Sequence, residues 1–165
     1  MNEIRVDATD IIEHLPTLKE LSKECNHITE MGVRHGVSTI PFIEGLPKGS
    51  ILVSIDIVDP PIPNLRALEN MADNKGINFF FVLGDTTKIT IDETDMLFID
   101  TLHEGWCLTK ELIRHSDKAK KYIVLHDTMS CRSELWPVIE KFIGVKWKIE
   151  KEYQNNNGMT ILERI

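Results

Sequence analysis

Five short runs of nearly unbroken apolar residues recur along the chain: "NHITEMG", "SILVSIDIV", "INFFFVLG", "DMLFID" and "KYIVLHD". Continuous runs of this length suit strands of a parallel sheet buried on both faces, because helices must then cover each side. Apolar residues at helical spacing fall between them, over residues 36–46, 63–75 and 104–116, with Leu65, Leu68 and Ala72 marking the second and Leu108 and Leu112 the third. Ahead of the first run, Ile11, Leu15, Leu18 and Leu21 keep the same spacing, and Asp10 stands where a helix cap belongs. The order is a helix followed by alternating strands and helices, which only an α/β sheet with helices on both sides accommodates.

Two departures narrow the architecture. Between the third and fourth runs only "DTTKITIDET" remains, too little for a crossover helix with its loops, so that crossover is expected to be trimmed. After a helical pattern over 130–142, "VKWKIEKEY" and "MTILERI" alternate around "QNNNG", which predicts an antiparallel hairpin closed by an Asn-Gly type of turn. The expected fold is a Rossmann-like, doubly wound and mostly parallel sheet ending in that hairpin. At 165 residues with 42% hydrophobic content, the chain is expected to form one domain, 1–165.

Composition removes several partner classes. Net charge is −7 and the basic residues are dispersed, with the small exception of "KAKKY", so nucleic acid is not expected as a partner. No run approaches the length of a membrane helix, and the first residues lack a leader-like pattern; a cytoplasmic protein without membrane contact is expected. Cys25, Cys107 and Cys131 show no metal-knuckle spacing and are expected to be reduced.

Where the first run ends, the sequence reads "HITEMGVRHGVSTIPF". In open α/β sheets ligands lie beyond the carboxyl ends of the strands, where a glycine turn lets backbone approach the ligand and the next helix offers free N–H groups. Gly32 and Gly36 stand there, but the middle glycine of a dinucleotide fingerprint is missing, which argues against a nicotinamide-dependent oxidoreductase. Glu30, just before the turn, would repel a pyrophosphate and suit an ammonium or sulfonium group. S-adenosylmethionine carries both, and a carboxylate that the helix start around Ser38 and Thr39 can receive. Asp56 closes the second run 26 residues after Glu30, near the offset at which an acid meets a ribose diol, and Asp85 closes the third, within reach of an adenine amino group. Each acid could instead be a cap; their succession at three strand ends favours one ligand.

"FIDTLHEGW" and "IVLHDTM" follow the fourth and fifth runs. In adjacent parallel strands, about 4.8 Å apart, Asp100 and Asp127 can direct carboxylates into one space, where they must share a cation or a proton. Oxygen ligands suit Mg²⁺, whereas participation of His126 favours Mn²⁺ or another transition ion.

Taken in order, "EMGVRHGVST", "SIDI", "GDTT" and "DMLFID" resemble the four motifs of class I S-adenosylmethionine-dependent methyltransferases, over nearly the whole chain. The pairing of Asp100 and His103 with His126 and Asp127 is similar to small-molecule O-methyltransferases of the macrocin and cephalosporin-hydroxylase-like group, which often carry two acids where this chain has His126-Asp127. The resemblance implies a divalent metal at Asp100 and Asp127, a small-molecule hydroxyl acceptor such as a sugar or glycoside, and His103 as the base that removes its proton. Trp106 and Trp136 are read as packing groups, and Arg132 as a candidate contact for an anionic acceptor. The "DPP" at residues 59–61 follows the second run and cannot serve as the amino-methylating motif found after a fourth strand. With no substrate-covering insertion and a trimmed crossover, the chain is also compatible with a homo-oligomer that completes its pocket, or with a non-catalytic binding domain of the same fold.

Overall fold

A computed structural model describes residues 10–165; the first nine residues, and the leader reading made of them, lie outside it. Seven strands form one sheet in the order β3-β2-β1-β4-β5-β7-β6. β1 (His27–Met31), β2 (Ile51–Asp56), β3 (Asn78–Leu83), β4 (Thr94–Ile99) and β5 (Ala119–His126) run parallel. β7 (Met159–Arg164) lies antiparallel between β5 and β6 (Trp147–Tyr153). α1 (Leu15–Ser22), α2 (Thr39–Gly45), α3 (Ile62–Lys75), α4 (Gly105–His115) and α5 (Arg132–Phe142) complete the α/β alternation.

The strand period of two sorts alternate residues onto two cores. Ile28, Leu52, Met96, Phe98 and Val124 meet Leu18 of α1, Phe42 of α2 and Leu68 of α3 on one face, where Phe42 and Phe98 pack edge to face at 5.3 Å. Leu97, Ile99, Ile123 and Leu125 meet Leu108 and Leu112 of α4 and Leu135 and Ile139 of α5 on the other. No helix among the described residues is long and apolar enough to cross a membrane.

The structure corrects four local expectations. Asp10 caps nothing: a 3-10 turn over Ile12–His14 precedes α1, whose N-cap is His14, while the Asp10 carboxylate lies 3.8 Å from Arg34. The helix expected from residue 36 begins at Thr39, because Gly36 adopts φ +81°, which no helix contains. The hairpin closes through five residues, 154–158, with Asn156, Asn157 and Gly158 all left-handed, so the turn is longer than the two-residue kind. Finally, β3 is an edge strand, and its residues are exposed or half-buried rather than covered on both faces. The cause is the trimmed connection: residues 84–93 cross to β4 without a helix, leaving that end of the second face bare.

Candidate active site

The carboxyl ends of β1, β2, β3, β4 and β5 open into a cleft with two adjoining compartments that share Gly32, Asp100 and Thr101. The first, about 300 Å³, is lined by Asp10, Arg34, His35, Ser38, His103 and Asp127 among others. The second, about 430 Å³, is lined by Asp56, Asp85, Ile57, Leu102 and Trp106. Both volumes fall in the range of small-molecule sites.

Gly32 makes the waist of this cleft possible. Its φ is +88°, and a Cβ there would stand 1.9 Å from the Asp100 carbonyl oxygen. Only glycine lets the β1 turn and the β4 turn approach so closely. Gly36 serves packing instead, since a Cβ on it would meet Leu68 Cδ1 at 2.5 Å.

Three acids expected around one ligand take different positions. Glu30 is fully buried and lines neither compartment; its carboxylate accepts hydrogen bonds from Ser38 Oγ (2.5 Å), Thr39 Oγ1 (2.8 Å) and Ser54 Oγ (2.5 Å). It ties β1 to β2 and to the start of α2, and burial raises its pKa to about 7 against the lowering effect of those three hydroxyls. Thr39 is likewise inside the fold, while Ser38 reaches the first compartment. Asp56 Oδ2 accepts the Val33 and Arg34 amides at 2.7 and 2.9 Å, so this acid shapes the glycine turn while facing the second compartment. Asp85 caps its own turn, accepting from the Thr87 amide and hydroxyl, and pairs with Lys88 at 2.9 Å; these contacts hold its carboxyl down to about 2.

The second group converges. His103 Nε2 lies 3.3 Å from Asp100 Oδ1 and 2.9 Å from Asp127 Oδ2; His126 Nδ1 lies 3.4 and 3.1 Å from the same two oxygens. Two carboxylates therefore face two imidazoles. Hydrogen bonds donated to the Asp100 and Asp127 carboxylates raise His103 to about 10. Burial lowers His126, but the same carboxylates outweigh it and its pKa also stands near 10. Burial raises Asp100 and Asp127, and the histidines pull both below the ordinary carboxylate range. The carboxylates thus favour the imidazolium form of both rings.

Residues that the sequence reading passed over hold this group in place. His126 Nε2 donates toward the carbonyls of Asp10 and Asn156, at 3.2 and 3.3 Å, which leaves Nδ1 for the carboxylates. Asp127, itself left-handed at φ +57°, receives Ser130 Oγ (2.7 Å) and Asn157 Nδ2 (2.9 Å) on Oδ1. Buried His14 donates from Nε2 to the carbonyls of Asn155 and Asn156 and packs against the His126 ring at 5.7 Å. The C-terminal turn is thus part of the site. Its signal in the sequence was the run of three asparagines, a residue type that tolerates the left-handed region. The Cys131 thiol lies within 4.8 Å of ligand atoms of His103 and Asp127, and Asp100, His126 and Asp127 satisfy the same limit among themselves. Either set could hold a metal ion.

Of the remaining candidates, Arg34 and His35 line the first compartment, and Trp106 lines the second instead of packing inside. Arg132 is committed elsewhere: it pairs with Glu152 at 2.9 Å and stacks on Trp136 at 4.0 Å.

No family model and no curated protein matches the chain. Solved structures do. The N-methyltransferase NodS from Bradyrhizobium japonicum, in complex with S-adenosyl-L-homocysteine, aligns over 96% of this chain and 89% of its own with a TM-score of 0.69 and 12% identity. The fold is that of the class I methyltransferases. A methyltransferase from Geobacter sulfurreducens aligns over 93% of this chain and 78% of its own, with a TM-score of 0.68 and 16% identity. The O-methyltransferase from Bacillus cereus, in complex with S-adenosyl-L-homocysteine, covers 98% and 83%, with a TM-score of 0.64 and 14% identity. These structural neighbours include both an N-methyltransferase and an O-methyltransferase, so the shared fold does not by itself assign a reaction.

Proposed function

We propose that the chain is an S-adenosylmethionine-dependent methyltransferase that acts on a hydroxyl group of a small molecule, a sugar or glycoside being the reading that accords with the polar first compartment. The observation that carries the proposal is the convergence of Asp100, His103, His126 and Asp127 at one end of a cleft whose other end is lined by Asp56 and Asp85. Asp56 and Asp85 would receive the ribose and adenine of the cofactor, Gly32 would let its chain pass, and the hydroxyl of Ser38 would meet the amino acid end. Glu30, Gly36 and Thr39 would support this cradle from beneath.

The donor set fits a divalent cation. Asp100 and Asp127 would hold it, with His126 Nδ1 beside them, because Nε2 is already directed at backbone carbonyls, as in histidines that ligate metals. Oxygen ligands alone suit Mg²⁺, and the histidine shifts preference toward Mn²⁺. Such an ion, when bound, supplies positive charge that lowers the pKa of a hydroxyl. His103 is the more exposed of the two rings, and it lines the first compartment. The carboxylate pair that keeps a proton on His103 is the pair that would bind the cation, so the base form of His103 belongs to the cation-loaded site. His103 would take the hydroxyl proton as the acceptor oxygen bonds to the sulfonium methyl and the carbon–sulfur bond breaks, with S-adenosylhomocysteine as the leaving group.

Calorimetric titration of the full chain with S-adenosylmethionine, S-adenosylhomocysteine, NAD and NADP, each with Mn²⁺, Mg²⁺ or EDTA, tests the reading. Heat with the first two ligands alone is expected. Binding of NAD in their place would overturn it, and cofactor binding without methyl transfer to any member of a hydroxylated acceptor library would favour a non-catalytic domain.

A further inference from the structure

Asp127 belongs to two clusters. With Asp100 and His126 it forms a set rich in carboxylates; with His103 and Cys131 it forms a second, in which a ring nitrogen, a carboxylate oxygen and the Cys131 Sγ all lie within 4.8 Å of one another. One turn and one loop build this second set. Asp127, at φ +57°, turns the chain where β5 ends, and the Cys131 amide donates to the Asp127 carbonyl oxygen at 2.9 Å, which brings the N-cap of α5 back beside the acid. Ser130 Oγ and Asn157 Nδ2 both occupy Asp127 Oδ1, so Oδ2 is the oxygen that meets His103 Nε2, at 2.9 Å, from the loop between β4 and α4. Exposure separates the two sets. The His126 side chain is 1% exposed, whereas that of His103 is 41% exposed and Cys131 is half-buried. Cys25 and Cys107 are both buried, so Cys131 is the thiol of the three that an ion from solvent can meet.

We propose that Cys131, His103 and Asp127 form an outer site for a thiophilic divalent cation, Zn²⁺ or its analogue Co²⁺, and that an ion held there excludes the cation of the Asp100 and Asp127 site. Ligand chemistry sets the preference. A thiolate, an imidazole and one carboxylate are the donors that zinc takes, and three protein ligands leave the fourth tetrahedral position open. A thiolate offers little to Mg²⁺ or Mn²⁺, which the oxygen-rich inner set suits better. On binding, the thiol proton and any proton on the coordinating ring nitrogen pass to solvent. Exclusion follows from the shared acid. Asp127 Oδ1 is already committed to Ser130 and Asn157, so both ions would need Oδ2, and two divalent charges on one oxygen of a half-buried site repel strongly. Binding at the outer site needs no cofactor. Its consequence for turnover rests on the methyltransferase reading: an ion there would take Asp127 from the inner cation and fix His103 as a ligand.

Titration of the full apo chain with Co²⁺ reads the thiolate directly. A near-ultraviolet thiolate-to-cobalt charge-transfer band should grow in, saturate at a single ion per chain, and vanish when Zn²⁺ displaces the cobalt. Cys131→Ser should abolish the band and weaken Zn²⁺ binding more than about 100-fold, the most that an indirect supporting partner contributes, while leaving Mn²⁺ affinity unchanged. Asp100→Asn should do the reverse, weakening Mn²⁺ binding and sparing the band. Calorimetry should register no Mn²⁺ heat once Zn²⁺ has saturated the chain. Absence of the band in the unaltered chain, a band that survives Cys131→Ser, or Mn²⁺ heat undiminished by Zn²⁺ would each overturn the proposal. These readouts involve no methyl transfer, so they remain decisive if the catalytic reading fails. Where transfer is measured with Mn²⁺, Zn²⁺ should arrest the unaltered chain at concentrations that spare Cys131→Ser, and equal arrest of both would count against the outer site.

Discussion

His103 Nε2 stands 2.9 Å from Asp127 Oδ2, the same oxygen that the buried His126 ring approaches at 3.1 Å. One carboxylate oxygen thus serves two rings. The exposed ring can exchange with solvent and substrate, while the buried ring is fixed by backbone carbonyls. This division of labour gives the two histidines separate experimental signatures.

Replacing His103 by alanine should lower turnover by about 10²–10⁴-fold, the usual contribution of a positioned proton acceptor. Binding of S-adenosylhomocysteine, measured by calorimetry, should stay within about twofold of the unaltered chain, since His103 lies in the other compartment from Asp56 and Asp85. Full activity in this variant would remove His103 from the chemistry.

Asn157→Ala removes the amide that holds Asp127 Oδ1 without touching the oxygen that faces the histidines. A second-layer partner of this kind is worth about 10–100-fold in metal affinity. Titration of the apo chain with Mn²⁺ should show that loss, and Asp127→Ala should abolish binding. Unchanged Mn²⁺ affinity in Asp127→Ala would place any ion elsewhere.

Asp56→Ala leaves the Val33 and Arg34 amides without their carboxylate partner. With the Val58 amide, which Oδ1 accepts at 3.1 Å, three hydrogen bonds to a charged group are lost, two of them at a turn where Arg34 already sits at φ +51°. We expect a loss of about 1–3 kcal/mol in unfolding free energy and weakened binding of the nucleoside. A denaturant series alongside the calorimetric titration measures both.

Glu30 predicts a pH dependence with a definite sign. Its carboxyl ionises near 7 in the folded chain and near 4.5 when unfolded, so the native state binds more protons between those values. Stability from this group is therefore complete below about 4.5 and falls as the pH rises toward 7, by about 3 kcal/mol. Glu30→Gln carries no titratable proton, so the difference in unfolding free energy between the two chains should change by that amount from pH 4.5 to 7.5. A constant difference would show that Glu30 keeps an ordinary carboxyl.

The alternation of strands and helices, the trimmed crossover and the terminal hairpin were legible because apolar runs and turn residues encode them locally. The paired carboxylates were also legible, since parallel neighbours bring successive strand ends together. What the sequence could not convey was direction. Glu30 precedes the turn as a ligand-binding acid would, yet three hydroxyls drawn from two separate elements turn it inward. His103 carries its ordinary pKa in any one-dimensional reading, and it is raised by Asp100 three residues before it together with Asp127, 24 residues away, which only the fold brings near. The support from Asn155, Asn156 and Asn157 depends on β7 pairing beside β5, which brings the turn to His126 and Asp127 and which no spacing rule reports.

That support bears on how the protein comes into being. A chain emerging from the ribosome completes β1 to β5 before the asparagine turn is made, yet His126 and Asp127 each lack one anchor until residues 156 and 157 fold back. Nascent chains should therefore form the end of the cleft around Asp56 and Asp85 first, and fix the two histidines and two carboxylates fully only as β7 docks.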